Sequence, residues 1–230
     1  MATVSVAPAL ETAPAHETFV KVPVGAEARV LLNDISWETY EQISNALVDY
    51  SGARLCYYEG SLEIMTTSYP HERYKKALGQ LVETLAIEMD IDFASSGQTT
   101  FKKQRRKTGF EGDDTFYFSY LDELRKPGKQ IDLKRDPAPD LVIEVDISNP
   151  SLEKFPLFAR LGVTEVWRWH DNELTIYQRV GEAYEPSATS HFLPNVTAAE
   201  INELIYEQQT MSMRQWNQIV RAYAQECLAR

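Results

Sequence analysis

The chain has 230 residues, 43% of them hydrophobic and 25% charged, enough for one good core and ordinary for a globular protein. Its net charge of −11 argues against a broad nucleic-acid surface. No apolar run is long enough to span a membrane, and two cysteines, Cys56 and Cys227, make neither a disulfide framework nor a zinc spacing. The N-terminus lacks a basic region followed by an apolar core, so no secretory leader is expected and a reducing cytoplasm is the expected location.

In chain order, residues 1–20 are rich in Ala, Pro, Thr and Glu without periodicity and read as a loosely packed tail, leaving 21–230 as one domain. Ser36 can cap a helix from Trp37 to about Val48, with Trp37, Tyr40, Ile43, Ser44 and Leu47 on one stripe. Arg54–Tyr58 and Ser61–Met65, joined by Glu59-Gly60, predict a β-hairpin. Pro70-His71-Glu72 opens a long helix to about Met89, and His71 reads as a capping or packing residue rather than a catalytic one. Short strands are expected at Ile91–Ala94, Thr99–Lys103 and Thr115–Ser119. Between the last two lies Lys102-Lys103-Gln104-Arg105-Arg106-Lys107, either a solvated hairpin end or a patch that guides a phosphate backbone.

Pro139–Ser148 organises the chain. Leu141, Ile143, Val145 and Ile147 alternate with Asp140, Val142, Glu144 and Asp146, a period of two that only a strand keeps on separate faces. Its acids stand about 6–7 Å apart. Either this is an edge strand with a solvated acidic face, or the acids share protons, pair with cations or hold a divalent metal. After Asn149-Pro150-Ser151 a helix is expected over Leu152–Leu161, with Pro156 moving its start towards Lys154. Strands follow at Thr164–Trp169 and Leu174–Arg179 around a turn at His170–Glu173, with a further strand near His191–Leu193. Thr197–Glu200 is a capping box, and a last helix starts near Thr210 or Ser212 with Trp216, Ile219, Val220, Tyr223 and Cys227 on one side, a core or dimer stripe. The sum is an α/β protein with a mixed sheet and extra N- and C-terminal helices.

Several pieces, in order, carry a resemblance: Tyr58–Met65, Pro70-His71-Glu72, Glu111-Gly112-Asp113, Pro139–Val145, and Lys154 through Trp167. Together they resemble the PD-(D/E)XK nuclease superfamily, and more closely the Uma-type family of putative restriction endonucleases. The resemblance implies a restriction-endonuclease-like core and a catalytic set of Asp113, Glu144, Lys154 and Asp146. It implies that Asp113 and Glu144, with the carbonyl of Val145, ligate Mg²⁺ or Mn²⁺. Gly112 stands where the superfamily has Pro, Asp146 where it has Lys, and Lys154 on the following helix fits the displaced lysine. Asp140 opens the same strand and is expected behind the ligands. A hard cation of this kind suits carboxylate oxygens and phosphodiester hydrolysis. The expected activity is DNA hydrolysis by a homodimer. The rival expectations are a catalytically silent interaction module and a hydrolase of another phosphate ester, with Asp113 then a turn acid and Lys154 a surface lysine.

Overall fold

The computed structural model describes residues 27–47, 52–147 and 153–230. The expected tail, the Val48 end of the first helix, and the Asn149-Pro150-Ser151 cap with Leu152 lie outside the described residues.

Two sheets form. The first has the order β1 (Ala28–Leu32), β3 (Ser61–Thr66), β2 (Ala53–Tyr58), β6 (Thr108–Glu111), β5 (Thr100–Lys103), all neighbours antiparallel. The second is the expected mixed sheet, with the order β11 (Ala183–Ser187), β10 (Glu173–Val180), β9 (Glu165–His170), β8 (Leu141–Asp146), β7 (Asp114–Tyr117), β4 (Ala94–Ser95). Its one parallel pair is β8–β9, with Leu141 opposite Glu165 and Asp146 opposite His170. A parallel pair needs a crossover, and α4 (Phe155–Leu161) supplies it.

The helices start where their caps allow. Ser36 caps α1 (Trp37–Ala46), Ser68 caps α2 (Tyr69–Glu88), Thr197 caps α5 (Ala198–Gln208), and Ser212 closes a capping box on α6 (Met213–Ala229). A four-residue α3 (Leu121–Leu124) sits in the excursion after β7. Pro156 falls in the first turn of α4, where no intrahelical N–H is lost, so the helix starts at Phe155 rather than Leu152. Among the described residues no helix is long and apolar enough to cross a membrane.

β8 lies between two cores. Leu141, Ile143 and Val145 face Leu78, Leu81, Val82 and Leu85 of α2 and the tryptophans Trp167 and Trp216. Val142 faces the other way, towards Leu157, Phe158 and Leu161 of α4 and Phe101 and Phe110 of the first sheet. The period of two is therefore real, but β8 is an interior strand buried on both faces. The solvated acidic edge does not exist: Glu144 is 3% exposed and Asp146 4%. The α6 stripe of Trp216, Val220, Tyr223, Ala224 and Cys227 is spent inside the chain. Both cysteines are buried and free.

Two expected strands change. Residues 91–93 pack Ile91 and Phe93 on the core without pairing, and only Ala94–Ser95 joins the sheet. His191–Leu193 is a turn built by side chains: Ser190 Oγ accepts from the N–H groups of Phe192 and Leu193, each at 3.2 Å, and Glu165 Oε2 accepts from that of His191 at 2.5 Å. The basic run is the end of the β5–β6 hairpin, with a 3-10 turn at Gln104–Arg106.

Candidate active site

The antiparallel pairing of β7 with β8 sets Asp114 opposite Ile143. Asp113, one residue earlier, donates its N–H to the Ile143 carbonyl at 3.2 Å. Its carboxylate turns across the strand, where Oδ2 accepts from the Val145 N–H at 2.8 Å. Glu144 projects from the α4 side of β8, and Lys154, the residue before α4, donates from Nζ to its Oε2 at 2.5 Å. Asp113, Glu144, Val145 and Lys154 thus come together in the interior, as the sequence proposed.

Asp146 joins the same face with different company. Its Oδ1 lies 3.0 Å from an Arg29 terminal nitrogen and its Oδ2 3.0 Å from Arg168 Nε. Arg29 also reaches Glu27 at 3.2 Å and Glu63 at 3.3 Å. Asp140 stands at the opposite end of β8, where its Oδ2 accepts from the N–H groups of Phe118 and Ser119 and from Ser119 Oγ, all at 2.8 Å. It holds a turn.

His71 is the residue that local pattern undervalued. Ser68 Oγ accepts from its backbone N–H, so the helix start does involve it, but the imidazole is wholly buried and its Nε2 lies 3.1 Å from Asp113 Oδ2. Burial disfavours the imidazolium, yet Asp113, Glu27 and Glu72 outweigh it and raise the pKa. Burial pushes Asp113 up, but His71, Lys154 and the Val145 N–H more than reverse that, and the carboxyl ends below its usual value. Glu144 goes the other way. Burial, with Asp113 and Asp146 as like charges, pushes it up to about 7 against the pull of Lys154. Lys154 is raised: burial opposes its charge, and Glu144 beside it more than compensates.

Glu144 Oε1 is buried and lacks a hydrogen-bond partner among the described residues. A buried acceptor left in this way costs roughly 1–3 kcal/mol unless a proton, a water or an ion satisfies it. Described residues lining a cavity of about 20 Å³ beside it include Asp146, Lys154, Phe158 and Arg168, and that volume holds about one water molecule. Among the described residues no group of three or more His, Cys, Asp or Glu side chains is arranged to hold a metal. The oxygen set is smaller and of another kind: two carboxylates on adjacent strands, one with an unused oxygen, next to a strand carbonyl. Such donors suit a hard divalent ion.

Residues 37–210 match the Uma2 family, described as putative restriction endonuclease. The chain belongs to this family. Restriction-endonuclease-like families generally use divalent metal ions. A solved structure titled as a putative nuclease belonging to DUF820 from Anabaena variabilis is similar over 66% of this Uma2 chain and 90% of that chain, at 11% identity and a TM-score of 0.46. No curated protein matches.

Proposed function

We propose that this Uma2 chain is a metal-dependent endonuclease that hydrolyses phosphodiester bonds of DNA. The observation that carries the reading is Glu144: a buried carboxylate beside Asp113, bonded to Lys154, with its second oxygen unsatisfied. Asp113, Glu144 and the Val145 carbonyl would hold Mg²⁺ or Mn²⁺. The bound ion would supply an acidified water and neutralise charge growing on the phosphate. His71 stands behind Asp113, with its Nε2 against Oδ2. Lys154 keeps a positive charge at Glu144 and is placed to meet the negative charge that builds on the phosphate oxygens. Asp146 anchors Arg29 and Arg168, and we assign it that positioning role rather than a ligand's. Cutting both strands of a duplex takes two such sites, and we expect a homodimer paired through a face other than the buried α6 stripe.

One observation favours the rival reading of a silent interaction module: Asp113, Glu144 and Asp146 each already have a basic side chain beside them, His71, Lys154 and Arg168. Plasmid nicking decides. The wild type should nick supercoiled DNA in Mg²⁺ or Mn²⁺, Glu144→Ala should not, and Lys154→Met should lose roughly 10²–10³ in rate. Nicking by Glu144→Ala at the wild-type rate would remove the site from the chemistry.

A further inference from the structure

The largest unexplained charge feature lies away from the acids. A groove of about 730 Å³ is lined, among the described residues, by Lys103, Gln104, Arg105, Arg106 and Lys134: four cations, one amide and no carboxylate. None of the four cations makes an ion pair among the described residues. In a chain of net charge −11, that is an uncompensated cluster. The cations are close enough to oppose one another: burial and the Arg106 charge both push the Lys103 ammonium down. They are also held in place. Lys103 pairs with Thr108 in the β5–β6 register, and Lys107, at φ 46°, closes the turn by donating to the Gln104 carbonyl at 3.0 Å. The Glu59 N–H reaches the Lys107 carbonyl at 3.3 Å, which ties the hairpin tip to the β2–β3 turn. Beside the tip, Arg105, Arg106 and Lys107 share a second cleft with Arg160 of α4, where the acids Glu38 and Glu59 also stand and Glu59 pairs with Arg160.

The lining selects the partner. With no aliphatic or aromatic side chain in the groove, it offers nothing to a lipid chain or an amphipathic helix. The same lack of aromatics argues against a single strand, whose bases stack on rings. A cluster of cations on a hairpin end suits regularly spaced phosphates. The tip is also within reach of the acids. From Lys107 to Asp113 is six residues, which span at most about 20 Å, less than one turn of a duplex.

We infer that the β5–β6 hairpin tip and Lys134 form a groove that binds the phosphate backbone of duplex DNA, independently of sequence and apart from the phosphate being hydrolysed. The inference rests on the nuclease reading for its choice of DNA. It predicts that the hairpin supplies affinity.

The test is fluorescence anisotropy of the full chain with labelled random-sequence duplex in EDTA, titrated with salt. The triple variant Lys103→Gln, Arg105→Gln, Arg106→Gln should bind roughly tenfold or more weakly, equally for unrelated sequences, with a log–log salt slope reduced by about 2–3. Lys134→Glu, on a separate segment and a check should the triple variant not fold, should reduce the slope by about 1 or more. Unchanged affinity and slope in the hairpin variants, or a preference for single strands or anionic vesicles over duplex, would overturn the inference. Wild type that nicks while the hairpin variants bind normally overturns the groove and spares the nuclease reading. Wild type that binds through the hairpin but never nicks does the reverse. Wild type that binds no duplex at all overturns the groove.

Discussion

Glu144 and Lys154 define the residue scale, because a buried pair can be undone by protons as well as by mutation. The folded chain holds the Glu144 proton more tightly than the unfolded chain, whose carboxyl has the ordinary value near 4.5. Between about 4.5 and 7 the folded state therefore binds more protons, and stability falls as pH rises through that window. Removing Lys154 extends the window upward. Lys154→Met should be tolerated at pH 6, where Glu144 is protonated, and should lose about 1.4 kcal/mol per pH unit relative to wild type above 7, until Glu144 ionises. Chemical denaturation at several pH values measures this; a pH-independent difference would contradict the pairing. Metal binding should strengthen over the same range and release a proton. His71 has the same sign: its raised pKa stabilises the fold at low pH, and that contribution is lost as pH rises through the folded value. Glu144 was legible because an acid inside an apolar alternation needs a reason. Arg29 was not, since its partners Asp146 and Glu63 lie 117 and 34 positions away and no local pattern marks them.

At the scale of elements, the long, strongly patterned segments read true and the short or side-chain-built ones did not. β8, α2, α5 and α6 were legible from periodicity and caps. β11 carries Pro186 and two exposed acidic or small positions on the sheet edge, a composition that does not look like a strand. β1 is exposed along half its length and owes its form to pairing with β3. Two element-scale predictions follow from contacts that pattern does not show. A Cβ at Gly109 would meet the Tyr40 hydroxyl at 2.2 Å and its ring at 2.7 and 2.9 Å, and Tyr40 is fully buried between Trp37 and Tyr57. Gly109→Ala should cost about 1–3 kcal/mol in a denaturation experiment, and a neutral result would mean that the first sheet can shift. Glu200 ties α5 to α6: its Oε2 accepts from Thr197 Oγ1 at 2.7 Å and from the Tyr223 hydroxyl at 2.9 Å, and its Oε1 from Arg230 at 2.5 Å. Arg230 leads in drawing its pKa down to about 2. The stabilisation is present above the unfolded value and lost as pH falls towards 2, so Glu200→Gln should flatten the acid limb of the thermal midpoint against pH.

For the whole molecule, charge is organised rather than averaged. The interior gathers Asp113, Glu144 and Asp146 on two adjacent strands and neutralises them with His71, Lys154, Arg29 and Arg168. Among the described residues, the groove at the hairpin tip is lined by cations and no acid, while Glu38 and Glu59 stand in the cleft beside it. Net charge of −11 spoke against a nucleic-acid surface only as an average, and a local groove escapes that average. The decisive measurement for the central claim is calorimetric titration of Mg²⁺, and then Mn²⁺, into wild type and Glu144→Ala at one pH above 7. The account predicts saturable binding by the wild type and its loss in the variant, with the variant still folded. No binding by the wild type at millimolar metal, or equal binding by both, would contradict it.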